Sequence, residues 1–218
     1  MIEWKEIETV LLDMDGTLLD LNFDNHFWLE FVPKRFAEKN GLSLELAKQQ
    51  LVPQFKKMEG KLEWYCLDYW SETLKLDIAG LKTEISGLIS ILPHVIDFLD
   101  ALHQSHHKVF LVTNAHRDSL DLKMDKTCLK PFFDQIISSH DYGFSKEQQK
   151  LWFKLHKKHP FDLQKTLLVD DSLAVLTSAK RFGIKHLVSI SRPDSQLEKK
   201  EISGFLAIED FRELMPVQ

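Results

Sequence analysis

Short runs of apolar residues recur along the chain at 9–13, 108–113, 134–138, 166–170 and 185–189. Runs this short and this continuously apolar predict strands buried on both faces of a parallel sheet. Between most of them the pattern changes to a helical period. Residues 93–103 carry Val95, Ile96, Phe98, Leu99 and Leu102 at helical spacing, with Pro93 suited to a first turn. Residues 146–157 bring Leu151, Trp152 and Leu155 onto one face. Residues 173–182 follow Ser172, a good N-cap, and stop at Gly183, a good C′ residue. The alternation predicts an α/β fold: a doubly wound parallel sheet with helices covering both faces.

One interval breaks the rhythm. About 90 residues separate Thr17 from Lys108, where a βαβ crossover needs on the order of a dozen. The helix at 93–103 serves the crossover, and the excess reads as helices at 25–39, 43–57 and 63–75, with a weaker one near 81–89. Gly41, Pro53 and Gly60 punctuate them. The expected division is a core of 1–19 and 89–218 with an inserted helical domain at 20–88. The insert is aromatic: Phe23, Phe27, Trp28, Phe31, Phe36, Phe55, Trp64, Tyr65, Tyr69 and Trp70. A helix over 63–75 sets Tyr65 and Tyr69 on one face and Leu67, Trp70 and Leu74 on another. Any one ring can be ordinary core. Two aromatic faces on one helix exceed what a small domain needs, so some rings are expected to line a cleft.

Composition narrows the possibilities. The chain has 218 residues, 44% hydrophobic and 28% charged, ordinary values for a globular protein. A formal charge of -5 argues against a nucleic-acid partner. Small anions remain open, because a bound cation reverses the local sign. No secretory signal opens the chain, and no apolar run reaches membrane-spanning length, so no membrane partner is expected. Cys66 and Cys128 form no Cys-x-x-Cys pair, which points to a reducing cytoplasm. Oligomeric state leaves no mark in the pattern.

The chemistry concentrates at strand ends. Val-Leu-Leu-Asp13-Met-Asp15-Gly-Thr runs a buried strand into two carboxylates. Residues i and i+2 of a strand share a side, so both acids meet at the carboxyl edge, where open α/β sheets bind ligands. Such acids repel unless a cation or shared proton intervenes, which suggests a metal site or a nucleophile beside an acid/base. The second strand ends in Thr113-Asn114, whose hydroxyl and following amides can donate to a phosphate. Lys146 opens the helix after the third strand, against the helix dipole unless it answers another charge. The fourth strand ends in Asp170-Asp171. The histidine clusters His103, His106, His107 and His156, His159 read as solvated helix ends without zinc spacing.

These four pieces, in this order, resemble the motifs of the haloacid dehalogenase-like (HAD) hydrolases. The position of the insert resembles that family's type I cap on a Rossmann-like core. The resemblance implies Asp13 as nucleophile, Asp15 as general acid/base, Thr113 and Asn114 as phosphate-binding residues and Lys146 as charge compensator. It implies Mg2+ held by Asp13, Asp15 through its backbone carbonyl, and Asp171, with Asp170 through water or completing the shell. Residues 18–28 and 64–72 further resemble the purine GMP/IMP 5′-nucleotidase subgroup. The expected activity is hydrolysis of a small phosphorylated metabolite, a purine nucleoside 5′-monophosphate, through an aspartyl-phosphate. The alternatives are a sugar-phosphate phosphatase or phosphomutase, and a nucleotide-binding regulator without turnover. Asp20, Asn22, Asp24 and Asn25, early in the insert, are suspects for contacts to the base.

Overall fold

The computed structural model describes residues 2–217. Among them, six parallel strands make one sheet: β1 (Thr9–Leu12), β2 (Lys108–Thr113), β3 (Gln135–Ser138), β4 (Thr166–Asp170), β5 (His186–Ile190) and β6 (Leu206–Ile208). Their order is β3-β2-β1-β4-β5-β6. The five expected strands are present with ends shifted by at most a residue. The short edge strand β6 was not expected; three residues, of which only Ile208 is buried, carry no readable alternation.

Ten α-helices are described: α1 (Asn22–His26), α2 (Val32–Asn40), α3 (Leu44–Met58), α4 (Leu62–Tyr65), α5 (Leu67–Leu74), α6 (Ile78–Glu84), α7 (Val95–His103), α8 (Arg117–Thr127), α9 (Gln149–Lys158) and α10 (Leu173–Phe182). Side chains of β1 alternate between two cores. Val10 and Leu12 join α7 and α8 on one face, while Leu11 joins α9 and α10 on the other. That is the doubly wound arrangement expected. No helix among the described residues is long and apolar enough to cross a membrane.

The insert, α1 to α6, packs around its own apolar cluster of Phe27, Trp28, Val32, Leu51, Phe55, Leu67, Trp70, Leu74, Ile78 and Leu81. Local expectations need correction. The helix expected at 63–75 breaks at Cys66, which is extended at φ -84° and ψ 111°. Tyr65 and Tyr69 therefore sit on different helices, while Leu67, Trp70 and Leu74 are buried together on α5 as expected. Helix α8 carried too few apolar residues to be seen; of its buried side chains only Leu120 and Met124 are apolar. Lys146 does not open a helix: α9 begins at Gln149, and Lys146 lies in the turn ahead of it.

Candidate active site

Sheet register assembles the carboxylates. Leu12 lies level with Leu111 of β2 and Val169 of β4. One step further sets Asp13 beside Asp170, and the Asp13 amide donates to the Val169 carbonyl at 3.0 Å. After Asp13 the chain curls away through Gly16, whose φ of +81° lies in the left-handed region. A Cβ at this position would stand 2.8 Å from the Asp171 carboxylate. Gly16 is thus needed both for the turn and for the approach of the fourth strand end.

Lys146 is buried among these acids. Its ammonium donates to Asp13 Oδ1, to Asp170 Oδ2 at 2.8 Å and to the Val112 carbonyl at 3.0 Å. Burial works to lower its pKa, but Asp13 and Asp170 outweigh that and hold it above the ordinary lysine value. The lysine therefore answers other charges, which explains its place near a helix start. Asn114 builds the turn that delivers it. Its Oδ1 accepts from the Lys146 amide at 2.9 Å, and its Nδ2 donates to Glu147 Oε2 at 3.0 Å. The Asn114 side chain is engaged in this way. Thr113 Oγ1 accepts from the Ala115 amide at 3.0 Å, leaving its proton to donate.

Carboxylate oxygens of Asp13, Asp170 and Asp171 lie within 4.8 Å of one another. Burial raises the Asp13 carboxyl to about 6; Lys146 opposes and Asp170 adds to the rise. Burial also pushes Asp171 well above the ordinary carboxylate range, with Asp170 and Asp13 adding to it. Three acids face the one ammonium of Lys146, a formal surplus of two negative charges. A hard divalent cation fits that charge and that all-oxygen donor set.

Asp15 stands in a second network that crosses into the insert. Lys123 of α8 is buried and donates to Asp15 Oδ1 at 2.6 Å and to Asp24 Oδ2 at 2.5 Å. Lys82 of α6 donates to the other Asp24 oxygen at 2.5 Å. Burial raises Asp15 to about 6 against the pull of Lys123. Burial acts the same way on Asp24, but the two lysines prevail and hold it far below the usual range. Lys123 and Lys82 carried no local sequence signal, since each becomes notable only through a partner distant in the chain. Thr17 closes the first motif, and its hydroxyl donates to Asp13 Oδ2 at 3.2 Å, a contact that the motif alone did not announce.

The suspects in the early insert divide. Asp20 accepts from the Asn22 and Ser195 amides, each at 3.0 Å, and serves the loop rather than the cleft. Asp24 and Asn25 line a cavity of about 410 Å3 between insert and core. Asp13, Asp15, Lys146, Asp170 and Asp171 lie along it, together with Trp28, Phe55, Trp64 and Tyr65. Some insert rings do line a cleft; others, such as Trp70, are core. Tyr65 closes across the gap, its hydroxyl donating to Glu147 Oε1 at 2.7 Å. Of the histidines set aside earlier, His107 bonds Ser105 Oγ at 2.6 Å and His156 the Phe161 carbonyl at 2.9 Å; both are half-buried rather than fully solvated.

Comparison with known proteins bears on this geometry. The chain is 40% identical over 215 residues to the GMP/IMP nucleotidase YrfG of Escherichia coli (strain K12), covering 99% of this chain and 97% of the relative. It is 24% identical over 218 residues to the pyrophosphatase PpaX of Oceanobacillus iheyensis, covering 97% and 96%. The structure superposes on a HAD phosphatase from Thermococcus onnurineus with a TM-score of 0.79 at 22% identity, covering 95% and 96% of the two chains. Residues 10–189, which include Asp13, Asp15, Thr113, Lys146, Asp170 and Asp171, match the model of the haloacid dehalogenase-like hydrolases, and the chain belongs to that family.

Proposed function

We propose that this hydrolase acts on purine nucleoside 5′-monophosphates, GMP and IMP foremost, with Mg2+ and an aspartyl-phosphate on Asp13. The observation that carries this reading is that one cavity is lined both by the carboxylates of Asp13, Asp15, Asp170 and Asp171 and by the rings of Trp28, Phe55 and Trp64. A phosphate monoester placed at Asp13 leaves room there for a planar base. The relative described as a GMP/IMP nucleotidase supports the same substrate class. Residues 20–88 act as a cap domain on a core of 1–19 and 89–218. The chemistry suits a reducing cytoplasm, in which the free Cys66 and Cys128 persist as thiols.

A phosphate and an aspartate repel by about 4 kcal/mol per unit-charge pair at 4 Å and an effective dielectric near 20. Asp13, Asp171 and the Asp15 backbone carbonyl would hold Mg2+, with Asp170 binding through water or completing the shell, and the ion would supply positive charge that offsets this repulsion. Lys146 supplies another. Asp13 attacks phosphorus in line, forming an O–P bond as the bond to the 5′-oxygen breaks. Asp15 gives its proton to that leaving oxygen. It then takes one from the water that hydrolyses the aspartyl-phosphate. With its carboxyl raised to about 6, Asp15 has access to both proton states near neutrality. The Thr113 hydroxyl donates to a phosphoryl oxygen.

Stacking of a base on aromatic side chains contributes about 1–3 kcal/mol, or roughly five- to 150-fold over a substrate with no base. Steady-state rates on GMP, IMP, AMP, UMP and glucose 6-phosphate test the reading. The purine monophosphates should lead in kcat/KM. A preference for glucose 6-phosphate would make the chain a sugar-phosphate phosphatase, and tight nucleotide binding without phosphate release would make it a regulator.

A further inference from the structure

A second cluster lies where insert and core meet. Cys66 occupies the extended break between α4 and α5 of the insert. His116 caps α8 of the core, and His140 lies in the turn Ser139–Tyr142 that follows β3. Each brings a ligand atom to within 4.8 Å of the other two. The His140 Nε2 is buried and has no hydrogen-bond partner among the described residues. Such an atom is costly to bury unless something completes it. The Asp68 carboxylate stands 3.6 Å from His116 Nε2, and the Asp118 carboxylate stands 3.6 Å from Nδ1 of the same ring.

We propose that Cys66, His116 and His140 form a Zn2+ site that fastens the helical insert to the core beside the catalytic cavity. The donor set decides the metal. One thiolate and two imidazoles suit borderline-soft Zn2+ and are poor ligands for Mg2+, so this site differs in kind from the carboxylate cluster. Zinc bond lengths in a tetrahedron imply ligand separations of about 3.4–3.6 Å, inside the 4.8 Å that bounds the three atoms here, so any inward movement needed is at most about 1.4 Å. Asp68 is placed to supply a fourth ligand. Asp118 is placed to back the imidazole of His116, as carboxylates commonly do for metal-bound histidine. Binding releases the Cys66 thiol proton to solvent and forms the Zn–S bond.

The consequence follows from which side chain belongs to which part. Cys66 comes from the insert and both histidines from the core, so the full ligand set exists only while the two are together. Zn2+ therefore favours the closed arrangement and restrains exchange through the cavity, which His116 also lines. Substrate turnover falls as the site fills.

The test uses the full chain in excess Mg2+, which occupies the carboxylates, and titrates Zn2+ or Co2+ alone. The wild type should take up one equivalent of Zn2+. Its Co2+ complex should show a thiolate-to-metal charge-transfer band. Cys66→Ser, which changes one atom, should lose that band and retain basal Mg2+-supported turnover. His140→Gln should weaken Zn2+ binding at least as much as the roughly 10–100-fold that follows loss of an outer-shell partner. Melting curves without zinc check that both variants fold. Inhibition by Zn2+ should be seen in the wild type and lost in Cys66→Ser. A Co2+ complex without the band, or equal Zn2+ binding by wild type and Cys66→Ser, overturns the proposal.

Discussion

Lys123 holds two carboxylates from different parts of the chain, Asp15 after β1 and Asp24 in the insert. Replacing it with Met leaves two half-buried acids without their shared cation, and Lys82 reaches only one of them. Breaking a buried charge network in this way costs on the order of 3–5 kcal/mol. Lys123→Met is therefore expected to lower stability by about that much in urea melts. It should also reduce kcat more than it raises KM, because Asp15, the proposed acid/base, loses the group that fixes it. Adding Asp15→Asn, which removes the acid that Lys82 does not reach, should recover part of the stability, a non-additivity that contacting residues show; strictly additive losses would deny the network. At Asp13 the expectation is different. Asp13→Asn should fold, since Lys146 retains Asp170, yet lose turnover by about a thousandfold or more. Rapid quenching of the wild type should place labelled phosphoryl on Asp13. The gathering of the strand-end acids was legible in sequence because each follows a buried apolar run, and neighbouring strands of a parallel sheet end on the same edge. Lys123 was not legible, because one lysine on a polar helix looks like any surface lysine until its partners are known.

At the scale of elements, the turn after β1 and the break between α4 and α5 do the positioning. Gly16 sits at positive φ against the Asp171 carboxylate. Gly16→Ala is expected to cost about 1–2 kcal/mol from the left-handed backbone alone and to push Asp171 aside. The Mg2+ concentration for half-maximal activity should rise. Asp171→Ala should raise it further than Asp170→Ala, and the reverse order in a Mg2+ titration would exchange their roles. Tyr65, at the end of α4, donates to Glu147, which Asn114 also holds. Tyr65→Phe removes a hydrogen bond to a charged acceptor, a loss of about 1.5–3 kcal/mol. A fall of about tenfold or more in kcat/KM is expected, and unchanged kinetics would show that this bridge is idle. The strands were readable because each is a continuous apolar run. The break at Cys66 was not, because Trp64 to Leu74 keeps a helical period across it, and no Pro or Gly marks the interruption.

The whole molecule joins two kinds of assembly. The insert finds its partners within residues 22–88, around the cluster of Trp28, Phe55 and Trp70. The sheet is built from distant segments, and β1 lies between β2 and β4. The first strand to leave the ribosome thus gains its neighbours only when 108–113 and then 166–170 are available. Closing such long loops is slow compared with local helix packing. On refolding, amide protons of α5 should become protected before those of β1 in pulsed exchange. Of the five tryptophans, Trp28, Trp64 and Trp70 belong to the insert, so fluorescence should recover ahead of catalysis. The delay between those two signals is the time a chain spends with its aromatic wall formed and Asp13, Lys146 and Asp170 still apart. During that time the chain has the wall of its cavity without the acids that it needs to cut a phosphate ester.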